Sequence, residues 1–291
     1  MNSVKSTKAL KILLLMLMVP FVSVVKAAEQ HSDKKETITM GMFPIVSAVA
    51  LFKRFAPLKD YLERNLGHRF VLETASDFPT FVRRTADKKY DVVLTAPHFS
   101  VLAADSGDYK IIARPKLNLI TIIVVNKNSA VTELSQLAGK KIATPPDSAI
   151  VTRSTKRFLK QQGLTGQKEP HYKAFKTHNA AYQSVLANNS TAAFVALNAV
   201  KEALDNGVPL RIIGKVPELP GMGILVSTQL SKEFADKLEK VLISMERSDE
   251  GRLVLKKIAT PGYLSARLKD YESVRPYKPS TSNIAKKNKK Q

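Results

Sequence analysis

The chain has 291 residues, no cysteine and a formal net charge of +21. The missing cysteine excludes disulfides, thiol nucleophiles, thiolate metal sites and a lipid joined to cysteine. The length leaves room for two ordinary domains that bury a core without crosslinks, and the basic balance favours anionic ligands or an anionic membrane surface.

The first segment reads as a leader. Lys5, Lys8 and Lys11 precede an apolar run over 12–25, small residues flank Lys26, and Ala28-Glu29-Gln30 begins a polar stretch. This order is that of a signal peptide over 1–27, cleaved after Ala27. The apolar run, about 14 residues, falls short of the ~20 that span a bilayer. The expected compartment is the periplasm, so nucleic acid is not an expected partner.

Strands then alternate with helices, the pattern of sheets covered on both faces. A strand is expected over 38–44. A helix follows with Leu51, Phe55, Leu58 and Leu62 on one stripe, ending at Gly67 and kinked or restarted at Pro57. Strands over 69–75 and 90–96 flank a short helix capped by Asp77-Phe78-Pro79, and Pro97-His98 opens another helix. The β-branched run over 119–125 reads as a buried strand. A second set follows: a short helix over 131–138, a strand over 141–144, a Pro145-Pro146-Asp147 turn and a helix over 149–162. Strands are expected over 173–177, 192–197, 210–215 and 223–227, the last returning to the first half. Two helices follow, over 231–246 and after Asp249. The stretch over 271–291, rich in Pro, Ser and Lys, reads as a disordered basic tail. No internal repeat is evident.

Ligands in open α/β sheets sit beyond the carboxyl ends of strands, against helix starts whose free N–H groups favour oxyanions. Five junctions of this kind stand out: Pro44 to Ser47, Thr95 to His98, Asp147 to Thr152, Thr177 to Asn179, and Leu197-Asn198. Any one alone is better explained as an ordinary helix cap; their number and their spread over both halves point to a cleft. His98 and His178 are either ligand contacts or local caps. The spacing of His171 and His178 is not that of a helical metal site, and no metal or cofactor is expected. No nucleophile elbow, phosphate loop or acid–base carboxylate pair is present, so the chain does not read as an enzyme.

Several stretches, in this order, resemble one family. They are Pro44 with Phe55-Ala-Pro-Leu-Lys-Asp-Tyr-Leu62, Ala75-Ser-Asp-Phe78, Tyr90-Asp-Val-Val-Leu-Thr-Ala-Pro-His98 and Leu137-Ala-Gly-Lys-Lys-Ile142. The family is that of phosphate/phosphite/phosphonate-binding periplasmic receptors of ABC transporters, and the similarity runs over 38–262. It implies the two-lobed type II periplasmic-binding-protein fold, with two mainly parallel sheets joined by two hinge strands, placed at 120–126 and 223–228. Lobe 1 would comprise 37–122 plus 226–270 and lobe 2 would comprise 123–225. The resemblance also implies a small, anionic, phosphonate-like ligand trapped between the lobes and a membrane permease as partner. The alternative is a sensing module that signals to a membrane kinase or cyclase without transport. A monomer is expected.

The family's phosphonate-binding members seat the anion on a Ser-Thr-Ser-Gly-like turn, matched here by Ser148-Ala-Ile-Val-Thr152 with two hydroxyls replaced by apolar residues. Phe99 stands where those members have Tyr. Thr177-His178-Asn179 stands for Ser-His-Asp, and Ala196-Leu197 for an acidic pair. Losing the carboxylates removes the counter-ion for an amino group, which argues against an aminophosphonate. The expected ligand contacts are Pro44, Ser47, Thr95, His98, Phe99, Ser148, Thr152, His178 and Asn179.

Overall fold

The computed structural model describes residues 37–279. The leader over 1–27 and the lysines after residue 279 lie outside the described residues. The first part of the chain runs β1 (Thr37–Met42), α1 (Ala48–Leu66), β2 (Arg69–Glu73), α2 (Phe78–Ala86), β3 (Val92–Thr95), α3 (Pro97–Asp105) and β4 (Tyr109–Pro115). It continues with β5 (Thr121–Asn126), β6 (Lys141–Thr144), α4 (Ile150–Gln161), β7 (His171–Ala174), α5 (His178–Leu186), β8 (Ala192–Ala196), α6 (Leu197–Asp205) and β9 (Leu210–Lys215). The chain then returns through β10 (Gly223–Ser227), α7 (Lys232–Ser244), α8 (Asp249–Lys257) and β11 (Tyr263–Ser265).

The longest described helix shows how an apolar stripe and a local stop set an element. In α1, Leu51, Phe55, Leu58 and Leu62 are buried, together with Tyr61 and Leu66, and Gly67 ends it in the left-handed region at φ 75°. The helix passes through Pro57 without a restart. The hydrogen bond lost at the proline is offset by six buried side chains. The expected helix over 131–138 is only a 3-10 turn, Leu134–Leu137, and the strand expected over 173–177 is His171–Ala174, with Thr177 capping α5 instead.

Two sheets form, in the orders β11-β4-β10-β3-β1-β2 and β7-β6-β8-β5-β9. The α/β class stands, but the sheets are mixed where mainly parallel ones were expected. β1 pairs in parallel with β2 and β3, and β6 with β7 and β8. In contrast, β10 runs antiparallel between β3 and β4, β11 antiparallel to β4, and β5 antiparallel between β8 and β9. Entry direction explains β5 and β10. Each enters from the connection between the sheets, beside the carboxyl end of a neighbouring strand (Gly223 opposite Thr95, Thr121 opposite Ala196), and must run away from it.

Sheet membership changes over 116–120 and 216–222, just before the strands expected as hinges. Thr121 and Ile122 already pair within the second sheet, and Gly223 to Leu225 within the first. The two crossing segments pair with each other: Leu119 N–H donates to the Leu219 carbonyl at 2.8 Å, and Leu219 N–H donates back at 3.2 Å. Gly221 lies so close to the other segment that a β-carbon there would meet the Leu117 carbonyl at 2.2 Å. Gly221→Ala therefore forces backbone movement at the crossing, with an expected loss of about 1–3 kcal/mol in urea unfolding; a midpoint within error of wild type would show that the crossing yields freely.

The segment expected as the start of a loose tail is ordered as far as it is described. Leu268–Tyr277 forms a 3-10 run in which Tyr271 and Val274 are fully buried. Two apolar clusters pack against each sheet. Ile150, from the first turn of α4 beside the second sheet, packs into a cluster of the first sheet with Phe99, Leu219 and Leu225.

Candidate functional site

One residue separates β3 from α3, β6 ends at the turn over 145–149 that leads into α4, and both strands end in buried threonines. Thr95 Oγ1 and Thr144 Oγ1 have no hydrogen-bond partner among the described residues. An uncompensated buried hydroxyl costs about 1–3 kcal/mol, so two at the carboxyl ends of strands, one in each sheet, mark positions where stability is not being optimised. Neither α3 nor α4 has a side-chain N-cap, since Ala96 and Ala149 stand there.

His98, in the first turn of α3, bridges the sheets. Its Nε2 lies 2.9 Å from the Ser148 carbonyl in the turn before α4. A carbonyl only accepts, so Nε2 carries the hydrogen and His98 donates. Burial pushes this imidazole down to about 3; the Ser148 carbonyl opposes that, and the Arg153 guanidinium adds to it. A neutral ring protonated at Nε2 leaves Nδ1 as a bare acceptor, and Nδ1 is buried with no partner among the described residues.

A cavity of about 550 Å³ opens beside this bridge. Phe78 and Phe99 line it from the first-sheet side, and Pro146, Asp147, Ser148, Arg153, Phe175 and Lys176 from the second. Pro279, at the end of the described chain, also borders it. Phe43 packs on Phe78 at 4.4 Å and on Phe99 at 5.5 Å between ring centroids, fixing that wall. Arg153 Nε is buried without a partner among the described residues, and its Nη1 donates to the Tyr277 carbonyl at 3.4 Å. Asp147 is engaged by Lys156 at 2.9 Å.

Of the residues singled out in the sequence, the structure brings together Thr95, His98, Phe99 and Ser148. Others do local work. The exposed Ser47 accepts from Ala50 N–H at 3.4 Å as the cap of α1, with Pro44 half-buried beside it. Thr152 donates to the Pro145 carbonyl at 3.0 Å. His178 Nδ1 accepts from Ala196 N–H at 3.3 Å, tying α5 to the start of α6, and burial pushes that imidazole down to about 4. Asn179 is exposed. Sequence reasoning missed Thr144, Arg153, Phe175 and Lys176. Thr144 was open to the logic that found Thr95; Arg153 lies inside a helix, where no junction rule looks.

A family model described as ABC transporter, phosphonate, periplasmic substrate-binding protein matches residues 40–271. The chain is similar in structure to PhnD1 from Prochlorococcus marinus in complex with methylphosphonate, at 17% identity and TM-score 0.72, covering 88% of this chain and 99% of that one. A binding protein component of an ABC phosphonate transporter from Pseudomonas aeruginosa matches at 14% identity and TM-score 0.70, covering 87% and 93%. A Xanthomonas citri protein bound to ATP matches at 14% identity and TM-score 0.69, covering 86% and 98%. At these identities the structural likeness shows the fold, that of two-lobed type II periplasmic binding proteins.

Proposed function

The chain belongs to the family of periplasmic phosphonate-binding proteins of ABC transporters, and on that footing we propose that it captures a small anion of the phosphonate, phosphite or phosphate kind between two lobes and delivers it to a membrane permease. The family is one of binding proteins and not of enzymes. In this reading each sheet carries one lobe, the segments over 116–120 and 216–222 are the hinges, and export depends on a cleaved leader over 1–27. Ligand favours a closed state only through contacts with both lobes. The observation that carries the reading is the cavity bounded by residues of both sheets beside the His98–Ser148 bridge, with Thr95 Oγ1, His98 Nδ1 and Thr144 Oγ1 buried and without a partner among the described residues. Thr95, His98, Phe99 and Ser148 are the proposed contacts carried over from the sequence, with Thr144 added.

The neutral His98 offers an acceptor at Nδ1, which suits a singly protonated phosphonate or phosphate with one P–OH to donate. Calorimetric titration with methylphosphonate, phosphite and phosphate is expected to show one-to-one saturable binding of at least one. Thr95→Val is expected to weaken it about tenfold or more, the worth of a hydrogen bond to a charged group. The same variant should melt no lower than wild type, because the hydroxyl has no partner among the described residues. Silence across the panel would remove this ligand class; unchanged affinity in Thr95→Val would remove Thr95 from the site.

A further inference from the structure

The open cleft is larger and more apolar than a small tetrahedral anion requires. Methylphosphonate has five heavy atoms, which at about 30 Å³ each, the share of a water molecule, fill roughly 150 Å³. The space is about 550 Å³. The remainder faces phenyl rings from three separate places: Phe78 at the start of α2, Phe99 in α3, and Phe175 between β7 and α5. Water against such walls gains few hydrogen bonds, whereas a flat apolar group stacks on them.

The charge in the lining is one-sided. Arg153 and Lys176 are its two cations, and its one carboxylate, Asp147, is already held by Lys156. The guanidinium stays charged throughout the accessible pH range and offers a planar fork suited to two oxygens. Its Nε is buried and has no partner among the described residues, while Nη1 is held at the Tyr277 carbonyl. The group is thus oriented but not saturated.

We infer that this cavity takes an anion carrying a flat apolar body, the aryl phosphonates and aryl carboxylates as a chemical class. Arg153 and Lys176 meet the anionic end, and the Phe78, Phe99 and Phe175 rings meet the body. The inference rests on the function proposed above and narrows its ligand class.

Calorimetry on the full chain with methylphosphonate, phenylphosphonate and benzoate tests it. Phenylphosphonate is expected to bind about tenfold tighter than methylphosphonate, or better. Arg153→Gln is expected to weaken phenylphosphonate binding about tenfold or more. Because Arg153 also holds the Tyr277 carbonyl, a second variant guards against simple misfolding: Phe175→Ala, at a half-buried position, is expected to bring the two phosphonates within about threefold of each other. Equal affinity of the two phosphonates for the unaltered protein overturns the inference and leaves the proposed function standing. Binding of benzoate alone, lost in Arg153→Gln, sustains the inference and overturns the phosphonate class. No heat with any probe overturns both.

Discussion

Replacing Tyr271 by Ala is expected to lower the free energy of unfolding by about 3–5 kcal/mol, and replacing it by Phe to raise it by about 1 kcal/mol. The two signs have one cause. Tyr271 is fully buried, in the cluster that holds Phe99, Tyr109 and Leu225 under the first sheet. Truncation to Ala leaves a ring-sized hole. Its hydroxyl has no hydrogen-bond partner among the described residues, so removing the oxygen alone relieves an uncompensated desolvation. Burial also holds its phenol well above the usual range. The functional consequence follows from connectivity. The same 3-10 run docks on α3 through Arg275, which donates to the Asp105 carboxylate at 3.0 Å, and it carries the Tyr277 carbonyl to Arg153. Tyr271→Ala should therefore also loosen one wall of the cavity. Urea midpoints at unchanged slope check the energies; a shift worth under about 1 kcal/mol for Tyr271→Ala would mean that this segment is not docked.

That segment also shows how composition misleads. Pro276, Ser273 and the lysines beyond suggested disorder, yet Leu268, Tyr271, Val274 and Tyr277 recur every third residue, the period of the 3-10 helix they form. β4 went unread for a related reason. Tyr109 to Pro115 carries Lys110, Arg114 and a terminal proline, so it lacks the unbroken apolar run that disclosed β5. Its place in the sheet is set by long-range partners, β10 and β11, and no local pattern encodes them. β11, three residues long, is too short for any periodicity. The alternation of strands and helices was legible because elements such as β1, α1, β3 and β5 bury apolar runs or stripes of their own.

The site divides in the same way. Thr95, His98 and Ser148 were readable because the rule that places ligands at carboxyl ends of strands acts locally. The cavity was not, because Phe78, Phe99, Arg153, Phe175 and Pro279 become neighbours only once two sheets and a returning chain end are assembled. The apolar Ala149-Ile150-Val151 in the turn that was expected to seat an anion has a structural counterpart. Ile150 is buried against the first sheet's cluster, so that side chain joins the two halves where a hydroxyl would have faced the ligand.

Acid is expected to part the two sheets before it unfolds either. The histidine at their junction is kept neutral by burial, at about 3, whereas in water an imidazole titrates near 6.5. A state with a lowered histidine pKa binds fewer protons than the state in which the ring is wet. Its advantage is therefore complete above pH 6.5 and is lost as pH falls toward 3, by about tenfold per unit. At pH 4.5 the ratio of joined to parted forms should have dropped about a hundredfold from its neutral value. Parting wets His98 by breaking its hydrogen bond to Ser148, the Arg153–Tyr277 hydrogen bond and the Ile150 contact, far less than global unfolding breaks. Small-angle scattering should then show a radius of gyration that rises reversibly between pH 7 and 4.5. His98→Gln keeps an N–H donor without a titrating ring and is expected to abolish the rise. His178, pushed down to about 4, is held by Ala196 N–H within the second sheet's own helices; its protonation strains that half and not the junction, so His178→Gln should leave the rise in place. A radius that stays constant in the unaltered protein, or a rise that survives His98→Gln, would mean that this histidine does not hold the halves together.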